Sequence, residues 1–132
     1  MEYLTLLGII ALAAFVSTII GALWYSVFFR KIWMKLVWPN IDQSARPPKK
    51  EMIQKTLVSF FGDILVAAAL IFVPLVTGAN PFILAVIYWI GFMVPAMKDG
   101  SLYEGRSWKV FAIGAGYRLV SLLAMATVFY FV

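Results

Sequence analysis

One long stretch without charge limits this chain more than anything else. From Tyr3 to Phe29 there is no Asp, Glu, Lys or Arg. A helix crossing the ~30 Å hydrocarbon core of a bilayer needs about 20 apolar residues at about 1.5 Å each. As a helix this stretch is about 40 Å long, enough to span with tilt or with one end among the headgroups. Glu2 stands where a signal peptide would carry basic residues, and the apolar run is too long for one, so it reads as a retained first helix. Composition agrees with a lipid solvent. Of 132 residues, 64% are apolar and 13% charged, with a mean hydropathy of +0.94. A soluble domain this small exposes too much surface to hide that much hydrocarbon.

Three more spans follow. The second runs from about Met52 to Val76, and Thr77-Gly78-Ala79-Asn80-Pro81 is a tight turn signal after it. The third runs from about Pro81 to Met97, short, with Pro95 expected to loosen its last turn. The fourth runs from about Lys109 to Val132. The expected fold is all-α: one domain over residues 1–132, a bundle of four transmembrane helices at about 3–29, 52–76, 81–97 and 109–132. Four crossings put both termini on one side.

The basic residues orient it. Arg30, Lys31, Lys35, Arg46, Lys49, Lys50 and Lys55 gather around the first loop, and Lys98, Arg106 and Lys109 around the third. The remaining basic residue, Arg118, lies inside the fourth span, so the side holding the termini and the second loop has none. Cytoplasmic loops retain such an excess, which places both termini outside. The net charge of +5 thus meets anionic headgroups at the cytoplasmic face rather than nucleic acid.

The cytoplasmic loop 30–51 carries Ile32, Trp33, Leu36 and Val37 at helical spacing, which predicts a short interfacial helix. Trp38-Pro39-Asn40 should end it, and Arg46-Pro47-Pro48-Lys49-Lys50 reads as an extended basic turn. Trp24, Tyr25, Trp38, Tyr103 and Trp108 are expected in the aromatic belt at that face.

Much chemistry is excluded. With no Cys and no His, disulfides, thiolate nucleophiles, imidazole bases and the commonest zinc sites are absent. No phosphate loop, dinucleotide fingerprint or nucleophile elbow occurs. No cofactor or metal is implied, and nothing positive supports an enzyme. Asp99 and Glu104 in the third loop read as partners of Lys98 and Arg106 rather than as an acid–base pair.

Two charges do lie in the membrane, and charges there are costly and usually functional. Counted from the cytoplasmic ends of their helices, Asp63 is about 16 Å deep and Arg118 about 14 Å. Matching depth predicts a direct ion pair. Ser17, Thr18, Tyr88, Trp89 and Tyr117 fall near the same level, with Ser59 and Ser121 one turn from the pair. The candidate site is therefore a midplane cluster of Ser17, Asp63, Tyr88, Tyr117 and Arg118. Such a pair can equally do no more than fix helix register. Ala13, Ser17 and Gly21 in the first helix, and Ala112 and Gly116 in the fourth, have the spacing of close helix contacts.

Two stretches carry a family resemblance. Gly21-Ala22-Leu23-Trp24-Tyr25-Ser26, followed by Lys31-Ile32-Trp33-Met34-Lys35, is similar to the opening of a bacterial membrane family, the domain of unknown function DUF1761. Glu104-Gly105-Arg106-Ser107-Trp108-Lys109-Val110-Phe111, then Gly114-Ala115-Gly116-Tyr117-Arg118-Leu119-Val120, resembles its close. The resemblance spans nearly the whole chain and implies a small multi-pass protein of the bacterial inner membrane. It brings no activity, cofactor or catalytic residue. The family often has histidine where Arg118 stands, so the chain departs from the pattern there.

Two functions compete. In one, the cluster binds or moves a small solute or ion, Arg118 drawing an anion or carboxylate and Asp63 exchanging a proton or cation. So short a chain encloses little volume, so a transport path would need a homodimer. In the other, the chain is a structural or accessory subunit and the Asp63–Arg118 pair only stabilises helix packing. A membrane enzyme would need an acid–base group near Glu104. The topology has its own check: a periplasm-dependent reporter fused after Val132 is expected to be active and a cytoplasm-dependent one silent.

Overall fold

A computed structural model of the protein describes residues 2–37, 49–105 and 107–131. Helix α1 (Tyr3–Leu23) runs into a wide π turn (Trp24–Phe28), and α2 (Arg30–Val37) follows. Helix α3 (Lys49–Thr77) leads to α4 (Pro81–Tyr88), a second π turn (Trp89–Met93) and α5 (Val94–Leu102). Helix α6 (Trp108–Phe131) closes the chain, and no strand occurs among the described residues. Among the described residues four stretches are long and apolar enough to cross a membrane: Tyr3–Phe28, Lys49–Thr77, Pro81–Leu102 and Trp108–Phe131. One end of the bundle holds the termini and the α3–α4 turn. The other, the loop end, holds α2 and the start of α3.

The turn between α3 and α4 is set by its residues. Gly78 takes φ +75°, a left-handed conformation that costs glycine little, and its N–H returns to the Pro74 carbonyl at 2.8 Å. Asn80 then caps α4, its side-chain oxygen accepting from the N–H of Phe82 at 2.8 Å, with Pro81 in the first turn where its missing N–H is harmless.

The third span differs from the sequence expectation. It does not stop near Met97 but continues to Leu102. Pro95 lacks an N–H and its ring crowds the carbonyl four residues back, at Gly91. A wide turn lies just there, with the Val94 N–H bonded five residues back to Trp89. The extra residue opens the coil around the proline, and the helix resumes beyond it. The helix α2 lies where an interfacial helix was expected, with Met34 buried. The expected Trp38-Pro39-Asn40 break lies outside the described residues, as do Arg46, Pro47 and Pro48. Lys49 and Lys50 belong to the first turn of α3 rather than to an extended segment.

Helix α6 contacts every other helix. Lipid tails are as apolar as leucine, so helices associate in a bilayer by close packing rather than by water exclusion. The small residues do that here. Ala13 and Ser17 on α1, and Ala67 on α3, are fully buried. A methyl on Gly21 would stand 3.0 Å from the Tyr117 hydroxyl, and one on Gly116 would stand 3.2 Å from the Trp24 ring. Toward the termini end, Leu70, Ile71, Leu122 and Met125 fill the core with at most 1% exposure. Replacing Asn80 by alanine is expected to lower stability by about 1 kcal/mol, with Asn80→Ser nearly neutral, measured by equilibrium unfolding in mixed micelles.

Candidate functional site

Asp63 is the middle residue of α3, and α6 brings Arg118 beside it. Arg118 Nη1 lies 3.5 Å from Asp63 Oδ1. The other carboxylate oxygen, Oδ2, accepts from the Thr18 hydroxyl of α1 at 3.1 Å. One carboxylate thus joins three helices. The Thr18 hydroxyl also reaches the Ala14 carbonyl at 2.9 Å, and its single proton can serve only one acceptor at a time. That carbonyl already takes a helical N–H, so turning the hydroxyl to Asp63 strands no backbone group.

The two charges are housed differently. The Asp63 side chain is 3% exposed and the Arg118 side chain 37%. A guanidinium has five N–H donors. The 3.5 Å contact with Asp63 is the one hydrogen bond Arg118 makes among the described residues, and it is at the long limit of such bonds. Its carbon centre also lies 5.1 Å from the centroid of the Tyr117 ring, a cation–π contact that supports the charge without using its donors.

A second polar group adjoins the pair and is buried. Ser17 of α1 and Ser121 of α6 are bonded through their hydroxyls. The Tyr117 hydroxyl donates to the Ser17 carbonyl at 3.2 Å and stands 3.4 Å from the Ser17 hydroxyl. All three residues are buried. Since Ser17 precedes Thr18 and Tyr117 precedes Arg118, this node joins the α1 and α6 backbones next to the groups that hold Asp63.

The structure therefore brings together Ser17, Asp63, Tyr117 and Arg118, and leaves out Tyr88. The Tyr88 hydroxyl donates to the Ala69 carbonyl at 3.3 Å, and its ring packs on Phe92 at 6.0 Å. Its depth was misjudged because the third span extends to Leu102, which moves its centre past Tyr88 toward the loop end. The neighbouring Trp89 does reach α6, its indole N–H donating to the Ala115 carbonyl at 2.8 Å.

Residues assigned to the rim also turn inward. Trp24 donates its indole N–H to the Ile113 carbonyl at 3.0 Å. The Tyr25 ring lies 5.4 Å from Trp33 and 5.7 Å from Tyr117. A glycine-rich segment of α6 facing two tryptophans was the available signal, since Gly114 and Gly116 expose backbone that only a long donor can reach. In the third loop, Lys98 pairs with Asp99 at 2.9 Å. An apolar groove of about 300 Å³ lies between α1 and α3 at Leu6, Ile10, Ala68, Ala69 and Phe72, away from the polar site. Among the described residues no cluster of ligating side chains could hold a metal ion.

Residues 9–130 match the family described as "Protein of unknown function (DUF1761)", and the chain belongs to that family. No curated protein and no solved structure matches it.

Breaking the pair from one side should cost stability. Asp63→Asn strands the guanidinium and is expected to destabilise by about 1–3 kcal/mol, less than a fully buried pair loses because Arg118 is partly accessible. Asp63→Asn combined with Arg118→Gln should regain part of that loss, and a double-mutant cycle by unfolding in mixed micelles measures the coupling.

Proposed function

We propose that this DUF1761 member is a multi-pass protein of the bacterial inner membrane, loops inside and both termini outside, that binds a small anionic solute at Arg118. The observation that carries this is the under-used guanidinium. A charge at mid-depth is expensive unless its donors find acceptors. Asp63 supplies one marginal contact, and the Arg118 side chain keeps 37% of its surface open. A carboxylate or a simple inorganic anion presents several acceptor oxygens or a compact negative charge to that planar fork. Asp63 and Thr18 hold the arginine at its depth while the site is vacant and yield part of the contact when an anion arrives. Passage of the solute across the bilayer would call for a second copy of the chain, because four helices enclose little volume.

The rival reading, a structural subunit, has one observation in its favour. The Ser17–Tyr117–Ser121 node is buried and its hydrogen bonds run between α1 and α6. That node suffices to lock α1 to α6, which leaves the open side of Arg118 without a structural task.

Ligand linkage tests the reading, because a solute that binds only the folded state raises its stability by about 2.7 kcal/mol at a hundredfold excess over Kd. Purified protein in detergent is titrated with sodium salts of chloride, phosphate, acetate and benzoate at constant ionic strength. At least one anion should raise the unfolding temperature of the native chain and leave Arg118→Gln unmoved. Equal responses of the two proteins to all four would overturn the assignment.

A further inference from the structure

One face of α3 changes character at Asp63. Residues spaced by three and four along this helix share a face. Met52, Thr56, Ser59, Asp63, Ala67 and Leu70 form such a row. From Asp63 toward the termini end the row is packed, with Ala67 and Leu70 fully buried. From Ser59 toward the loop end the same row is exposed, including Ser59, Thr56 and Met52. Asp63 points into the bundle, as its contacts with Thr18 and Arg118 fix. The exposed half of the row therefore faces the same way; like every residue from 49 to 59 it is left uncovered, which leaves a gap on the inward side of α3.

Two features give that gap a chemistry. Its α3 wall carries Thr56 and Ser59 below Asp63, where a lipid-facing wall would be apolar. On the opposite side of α3, at the same depth, stand Val58 and Phe61, exposed by 72% and 67% as lipid-facing side chains are. Its mouth is cationic: Lys49, Lys50 and Lys55 begin α3, and Lys31 and Lys35 lie on α2 at the same end. Lys55 is tied to Glu51 at 2.9 Å, which leaves the net sign at this end positive. At the far end of the row stands Arg118 with its open donors. The distance is short, about 12 Å along the helix from Lys55 to Asp63.

We propose that Asp63 and Arg118 form the floor of a water-filled vestibule that opens only at the loop end, along the Thr56–Ser59 face of α3, and draws small anions to the arginine. The opposite direction is sealed by the close-packed core of Ala13, Leu70, Ile71 and Met125, each with no exposed surface. A low-dielectric cleft lined by one sign of charge focuses its field and concentrates the opposite ion. The proposal takes up the anion reading of Arg118 and adds to it the route and the side of entry.

The chain has no cysteine, so single cysteines report water access directly. Thr56→Cys and Ser59→Cys sample the vestibule, and Val58→Cys and Phe61→Cys sample the lipid face at matched depth. In inside-out vesicles, the anionic reagent 2-sulfonatoethyl methanethiosulfonate should modify the first two and spare the last two. In right-side-out vesicles it should modify none of the four. At Ser59→Cys the anionic reagent should outpace its trimethylammonium counterpart by about tenfold after correction for their rates with free thiol, and Arg118→Gln should remove that preference. Three results would overturn the vestibule: inert Ser59→Cys, equal labelling of both faces, or copper-phenanthroline cross-linking of Ser59→Cys chains, which would mean that a second copy covers the face. Labelling of the Ser59 face with no anion preference would retain the water path and reject the anion reading, so the two failures are distinct.

Discussion

A guanidinium halfway through a bilayer governs the rest of this structure. The Arg118 guanidinium presents five N–H donors and hydrocarbon offers it no acceptor, so the chain must bring polar groups to it or bring water. It does the first in part. Asp63 approaches from α3, Thr18 steadies Asp63 from α1, and the Tyr117 ring lies under the charge. These contacts require α1, α3 and α6 to approach closely at one level, and that requirement explains the small side chains there. A Cβ at Gly21 would stand 3.0 Å from the Tyr117 hydroxyl, so a larger residue there would push on the ring whose hydroxyl bonds Ser17 beside the ion pair.

Packing and polarity are divided along the bundle axis. Toward the termini the interior is apolar and closed, held by dispersion between well-fitted side chains. At the middle, hydroxyls and one carboxylate are paired between helices. Beyond the middle the face of α3 loses its partners although it keeps its polar residues. A bundle built for strength alone would continue its core along the whole span. The change occurs at Asp63 and Arg118, the polar groups for which hydrocarbon contact is most costly.

The four spans and the depth match of Asp63 with Arg118 were legible because both follow from counting. Charge-free length gives a span, and rise per residue gives a depth. The same arithmetic failed for Tyr88, since it ended near Met97 a helix that continues through a π turn to Leu102. A wide turn has no simple sequence period, and this one inserts a residue that no repeat announces. Trp24 and Trp89 were equally opaque. Tryptophans near helix ends usually sit at the interface, whereas these spend their indole donors on α6 carbonyls bared by glycine. Ser17 and Ser121 were visible as residues at the right depth. Their mutual bond depended on the rotation of two helices about their own axes, which single-helix reasoning does not supply.

The geometry of the pair bears on whether it serves as glue. An arginine kept only to hold helices together gains most from a two-pronged contact sealed from solvent, because only then does attraction offset the cost of desolvating both ions. Here the contact is single and long: Asp63 is buried and accepts on both oxygens, one from Arg118 and one from Thr18, while Arg118 stays partly open. The carboxylate is the fixed element and the guanidinium the available one. That asymmetry orders the site: Thr18 and Asp63 set the depth and direction of Arg118, the serine–tyrosine node joins α1 to the helix that carries it, and the guanidinium keeps part of its surface open.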